Sequence, residues 1–135
     1  IEMAEAMGKD NMFVFGLLTE EVAALKGRGY HARDFAEKNA DLQRILNAMA
    51  SGVFSHEEPS RYQSLVNSLL NQDQYLLLAD YADYAKSQCM VDGLYKTPAL
   101  WAQRVALNIA GMGWFSADRT IREYIAHVWT SPTKA

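Results

Sequence analysis

The sequence predicts a mainly α chain with one short strand, the tail of an α/β domain followed by a helical extension. Three observations carry that reading. Apolar residues recur at helical spacing after Gly16, as in Leu42, Ile45, Leu46 and Met49, and again in Tyr62, Leu65, Val66 and Leu69. Cap and stop residues bracket those stripes where a helix needs them. One continuous apolar run, Met12-Phe13-Val14-Phe15, lies between Asn11 and Gly16 and suits a strand buried on both faces.

In chain order, Ile1, Ala4 and Met7 share a face of one or two helical turns that Gly8 stops, and Lys9-Asp10-Asn11 reads as a turn. The strand follows. No second strand is evident downstream, and a lone strand has no partner for its ladder. The neighbouring strands are therefore expected from sequence outside this chain, which opens on Ile1-Glu2-Met3 and reads as a fragment. Thr19 is expected to cap a helix carrying Leu18, Val22 and Leu25, with Glu20 and Glu21 in its first turn and an end between Gly27 and Gly29. The stripe from Leu42 to Met49 stops at Gly52, and His56-Glu57-Glu58-Pro59 is a loop. Asp80 is expected to cap a long helix ending near Tyr95. Thr97-Pro98 starts the next, which holds Trp101, Val105, Asn108, Ile109 and Met112. Ser116 is expected to cap the last helix, with Ile121, Tyr124, Ile125, Val128 and Trp129 as its buried stripe and Pro132 as its end. That makes about six helices after one strand, without internal repeats or low-complexity tracts.

Composition narrows the function classes. With 135 residues, 50% of them apolar and 21% charged, the chain can bury enough surface to offset its ordering entropy. A net charge of −3 argues against nucleic acid as a main partner, because phosphate binding needs a basic face. No apolar run approaches the roughly 20 residues of a membrane span. Cys89 is the single cysteine, so no internal disulfide forms and a cytoplasmic setting is expected.

The candidate chemical groups each carry a plainer explanation. His31, His56 and His127 are scattered, and Cys89 offers no ligand pair, so no metal site is expected. Asp80 and Asp83 stand three apart and could act as an acid/base pair, but capping by Asp80, first-turn placement of Asp83 and packing by Tyr81 and Tyr84 explain them better. Gly111 and Gly113 lack the preceding strand and following lysine of a phosphate loop and read as a helix break. Arg119 and Arg122 could grip a phosphate, though a structural ion pair suits them better, and Asp118 favours the helix dipole. Trp101 and Trp129 fall on helix stripes expected to be buried; Trp114 alone stays open as a platform for a sugar ring. No catalytic, cofactor-binding or metal-binding residue is assigned.

The order of several short stretches adds a resemblance. Ile1-Glu2-Met3-Ala4-Glu5 and Asn11-Met12-Phe13-Val14-Phe15-Gly16 resemble the pattern "EMAEE…ENFFIFG" of the α-glucan (glycogen, starch or maltodextrin) phosphorylases. Arg28-Gly29-Tyr30 resembles "RGY", and Ser51-Gly52-Val53-Phe54-Ser55 resembles "SGFFS". Ala79-Asp80-Tyr81, with Tyr84, Gln88, Val91 and Leu94-Tyr95-Lys96, resembles "ADYEEYVKCQERVSALYK". Trp101, Asn108-Ile109-Ala110 and Phe115-Ser116-Ala117-Asp118-Arg119-Thr120-Ile121, with Tyr124 and Trp129, resemble "W…NIA…FSSDRTI..Y…IW". The pattern departs where the family has "WTR": here Trp101 precedes Ala102-Gln103, and Arg104 stands one place later.

The resemblance implies a C-terminal segment of the second Rossmann-like domain in a two-domain glycosyltransferase (type B) fold. Residues 1–16 would end that domain's sheet, residues 17–113 form its helical part, and residues 114–135 cross toward an N-terminal domain. It also implies a parent enzyme, usually a homodimer, that cleaves terminal α-1,4-glucosyl units with phosphate to give glucose 1-phosphate. Pyridoxal phosphate would sit on a lysine in "SGTGNMK", upstream of "GTLDGAN" and outside this chain, as would the phosphate and glucose contacts. Partners would then be the rest of the phosphorylase chain, α-glucan and phosphate, and the segment alone would be inactive with Trp129 and Tyr124 partly exposed. A free-standing helical interaction module that uses Trp114 and the C-terminal stripe is the alternative.

Overall fold

A computed structural model describes residues 2–129. Among the described residues eight α-helices run in order: α1 Glu2–Met7, α2 Thr19–Gly27, α3 Ala32–Lys38, α4 Ala40–Ala50, α5 Gln63–Asn71, α6 Leu77–Tyr95, α7 Pro98–Gly111 and α8 Ala117–Tyr124. Two 3₁₀ turns, Lys9–Asn11 and Met112–Phe115, follow α1 and α7, and Ile125–Trp129 continues α8 as a π-helical turn. No helix among the described residues is long and apolar enough to cross a membrane.

The mainly α expectation holds, but the strand does not form: the described residues contain none. Met12 is extended (φ −137°, ψ 141°), and Phe13, Val14 and Phe15 make no main-chain hydrogen bond among the described residues. The physical reason is that no strand runs alongside it among the described residues, since a strand exists only as one side of a ladder. Phe13 is 37% exposed, Val14 67% and Phe15 47%, so these apolar side chains lie open.

The chain divides into two units, Val14–Cys89 and the combination of Ile1–Phe13 with Met90–Ala135. Within Val14–Cys89, α3, α4 and α5 pack on one another around Ala32, Ala36, Leu42, Leu46, Val66 and Leu78. Burying each of the larger aliphatic side chains contributes about 1.5–3 kcal/mol. Asn39 caps α4 by accepting the Leu42 N–H at 3.0 Å, in the role its short polar side chain favours. At α2 the helix begins at Thr19, one residue earlier than a Thr19 cap allows, and Glu21 closes the end by accepting the Leu18 N–H at 2.8 Å. The last turn of α6 lies beyond Cys89, in the other unit.

In that other unit, α1 rests on α7 at Gly111. A Cβ there would stand 2.8 Å from the Ala6 carbonyl oxygen and 3.0 Å from Met7 Cα, so the crossing requires glycine. Asn108 donates from Nδ2 to the Asn11 carbonyl at 2.8 Å, which anchors the turn after α1. Pro98 stands at the first position of α7, where its missing N–H costs nothing. Met7 is the one buried apolar side chain of this unit among the described residues. The stripe expected to be buried on the last helix is instead open: Ile121 is 49% exposed, Tyr124 48%, Ile125 46%, Val128 57% and Trp129 64%. Periodicity marks a face meant for an apolar neighbour but does not supply that neighbour.

Candidate functional site

Asp80 and Asp83 do not form an acid/base pair. Asp80 Oδ1 accepts the Leu17 N–H and Asp83 Oδ2 accepts the Gly16 N–H, both at 2.9 Å. The two carboxylates thus hold the bend that leads into α2. Gly16 has φ +91°, and a Cβ on it would come within 2.9 Å of Asp80 Cγ, so its backbone approaches the carboxylate as only glycine can. Phe15 packs edge-on against Tyr84, centroids 5.1 Å apart, beside the same bend.

The cap of α6 is Asp73, not Asp80, because the helix starts at Leu77. Asp73 Oδ1 accepts the Leu77 N–H and Oδ2 the Leu78 N–H, each at 2.9 Å. The Tyr30 hydroxyl donates to Oδ2 at 2.5 Å. Asp73 is only 4% exposed, and these three donors satisfy a carboxylate that burial would otherwise make expensive. Burial first, then the hydrogen bond and charge of Asp73, push the Tyr30 phenol well above its ordinary range. The sequence signal was faint: a polar stretch, Asn71-Gln72-Asp73, ahead of an apolar run.

The histidines remain apart. His31 lines a cleft with Tyr30, Arg33 and Asn71, His56 is exposed in its loop, and His127 lies on the last turn. Among the described residues no group of three metal-ligating side chains exists, and Cys89 is exposed. Trp101 is half-buried edge-on to Tyr95, while Trp129 stacks on Tyr124 at 5.7 Å. Gly113 has open space around it, unlike Gly111. Arg122 is exposed.

Arg119 and Trp114 do come together. The guanidinium lies 4.0 Å over the indole centroid, donates from Nη1 to the Trp114 carbonyl at 2.7 Å, and pairs through Nη2 with Glu123 at 2.5 Å. Asp118 stands in the first turn of α8, and Ser116 occupies the cap position without a side-chain hydrogen bond. Trp114, Phe115 and Arg119 line one side of a cleft of about 420 Å³, and Glu2, Glu5 and Ala6 of α1 line the other.

Pyridoxal phosphate on a lysine, which the resemblance implies for a parent enzyme, does not fit the lysines described. Lys9, Lys26, Lys38, Lys86 and Lys96 are all exposed, whereas a Schiff-base lysine is desolvated to lower its pKa.

Comparison with known proteins gives these landmarks a common origin. The sequence profile of the carbohydrate phosphorylases matches residues 1–131. The brain form of glycogen phosphorylase from Homo sapiens is 42% identical over 129 residues, covering 96% of this chain and 15% of that protein. The muscle form from Homo sapiens is 40% identical over 129 residues, with the same coverage of each chain, 96% and 15%. The muscle form from Ovis aries is 39% identical over 135 residues, covering 99% of this chain and 16% of the relative. The chain therefore spans about 15% of the length of such relatives, and because its match to them runs through nearly every element described above, the chain belongs to the carbohydrate phosphorylase family.

Proposed function

We propose that this chain is the C-terminal segment of an α-glucan phosphorylase that supports the catalytic parts of the parent without carrying them. The observation behind this reading is the apolar segment at residues 12–15, whose Phe13, Val14 and Phe15 lie open with no main-chain partners among the described residues. Exposed strand-like backbone of that kind is completed by neighbouring strands, which fits an inner rung of a Rossmann-like sheet supplied by the rest of the parent. Residues 1–16 then end that sheet, residues 17–113 form the helical part of the C-terminal domain, and residues 114–135 cross toward the N-terminal domain. The apolar face of the last helix suits that crossing.

In the complete parent, phosphate cleaves terminal α-1,4-glucosyl units of a glucan and glucose 1-phosphate leaves. Pyridoxal phosphate, held on a lysine elsewhere in the parent, would supply proton transfer through its phosphate group. The parent is expected to be a cytoplasmic homodimer, with this segment buttressing the cofactor domain. A match over nearly the whole chain disfavours an independent interaction module.

The test is phosphorolysis by the full-length parent, followed as glucose 1-phosphate released from glucan and phosphate. Release that disappears on removal of pyridoxal phosphate and returns with it is the expected result. A full-length protein loaded with the cofactor yet silent toward every α-glucan would overturn the proposal.

A further inference from the structure

We propose that the cleft beside Met12 and Phe13 seats an aspartate or glutamate side chain, carried by a strand of the parent and paired there with Arg104. The inference rests on the reading above that neighbouring strands come from the parent, and it names the chemistry one of them brings to this place.

The cleft lies wholly within the unit formed by residues 1–13 and 90–135. Trp101, Arg104, Val105 and Asn108 recur along α7 at helical spacing and so share one face of it. Asn108 fastens that face to the segment before Met12 through its 2.8 Å bond to the Asn11 carbonyl. Arg104, one turn earlier, lines the same cleft as Met12 and Phe13. Trp101 is steadied edge-on by Tyr95.

Charge selects the occupant. Arg104 is half-buried and makes no ion pair among the described residues. A guanidinium stays charged, and its partial burial without a counter-charge costs free energy that a carboxylate offsets. Among the described residues no carboxylate lines the cleft, whose apolar walls are Met12, Phe13, Leu94, Trp101 and Val105. A cation would be repelled there, and an apolar side chain would leave the guanidinium uncovered. A carboxylate on a short aliphatic stem suits both the walls and the charge. The cleft volume of about 270 Å³ lies below the roughly 300–1,000 Å³ usual for small-ligand sites, so a side chain fits it better than a free molecule.

The backbone selects the bearer. Met12 is extended, and Phe13 has no main-chain partner among the described residues. A strand pairing there runs about 4.8 Å away and sets its side chains opposite those of Met12 and Phe13, within reach of a long arginine.

The experiment uses the full-length parent with Arg104→Lys, treated with a carbodiimide that joins an amine to a touching carboxylate as an amide. Mass spectrometry of the digest should find position 104 linked to one Asp or Glu from outside these 135 residues. Links from position 104 only to carboxylates within them, or none while other lysines react, would overturn the proposal. Arg104→Met should speed hydrogen exchange in the peptide carrying Phe13 by roughly five- to thirtyfold. Changing the linked acid to its amide should do the same, and the double variant should exchange no faster than either single one. Exchange within twofold of wild type in both single variants would equally overturn it. Arg104→Lys keeps the charge, so it reports even where Arg104→Met unfolds. Glucose 1-phosphate release by the wild type is measured in parallel. Normal release without the link removes the carboxylate seat alone. Absent release with the link formed removes the phosphorolysis reading and leaves the pairing standing.

Discussion

Tyr30 and Asp73 meet across 43 residues of sequence, so the segment before α3 and the start of α6 depend on one buried carboxylate. Substituting Tyr30→Phe removes one of three donors to Asp73 and should cost about 1–2 kcal/mol. Asp73→Ala should cost at least as much, since two helix N–H groups lose their cap and the phenol its acceptor. Denaturant unfolding of the chain checks both, and a change below about 0.5 kcal/mol in either would contradict the role assigned to this contact.

The same pair sets a pH dependence. The Tyr30 phenol is raised above its unfolded value of 10.0, so the native state holds this proton where the unfolded chain releases it. Its stabilisation is complete below pH 10 and is lost as pH rises from there toward the folded value. Unfolding curves taken in that alkaline window should show wild-type stability falling with a slope that Tyr30→Phe reduces. Equal slopes in both proteins would disprove the linkage.

Gly111→Ala sets two known effects against each other. Helix propensity favours alanine by about 0.8–1.0 kcal/mol, but the new Cβ would meet backbone atoms of Ala6 and Met7 at 2.8 and 3.0 Å. Forcing a packed crossing apart costs about 1–3 kcal/mol, so the clash should win and the chain should be destabilised. Gly93→Ala is the contrast, because nothing lies within 4 Å of its Cβ position, and thermal melts should place the two variants on opposite sides of wild type.

Asp80→Ala and Asp83→Ala each break one carboxylate contact to the bend at Gly16 and Leu17. Asp80 is the less exposed of the two, so its loss should cost about 1–2 kcal/mol and that of Asp83 about 0.5–1 kcal/mol. Hydrogen exchange at the Gly16 and Leu17 amides should accelerate in the matching variant. Unchanged protection at both amides would show that the carboxylates do not hold the bend.

Much of the helical order was legible because large aliphatic residues repeat at the right spacing. Leu42, Leu46 and Val66 reach the core that their stripes predict. Helix α3 was missed because its buried positions are Ala32 and Ala36, small residues whose periodicity is weak. The start of α6 was misplaced by backbone geometry that residue types do not announce. Asp73 and Leu76 adopt positive φ, 34° and 58°, without being glycine, and the 3% exposure of Leu76 shows what that turn achieves. The last helix was read correctly as amphipathic, yet its stripe is open, since a pattern names the face and leaves the covering element unspecified. At the candidate cleft, Trp114 was visible as an open aromatic, but the approach of α1 to it depends on the crossing at Gly111, a tertiary relationship.

The open run Phe13, Val14 and Phe15 also has a consequence for handling the polypeptide. Proteases grip their substrates as extended strands and cut where the main chain is free to be gripped. Two phenylalanines in such a stretch offer a chymotrypsin-type enzyme its preferred side chains, so cleavage of the isolated polypeptide should begin there. On the proposed reading, strands of an intact parent would shield the same bonds, and digestion there would slow.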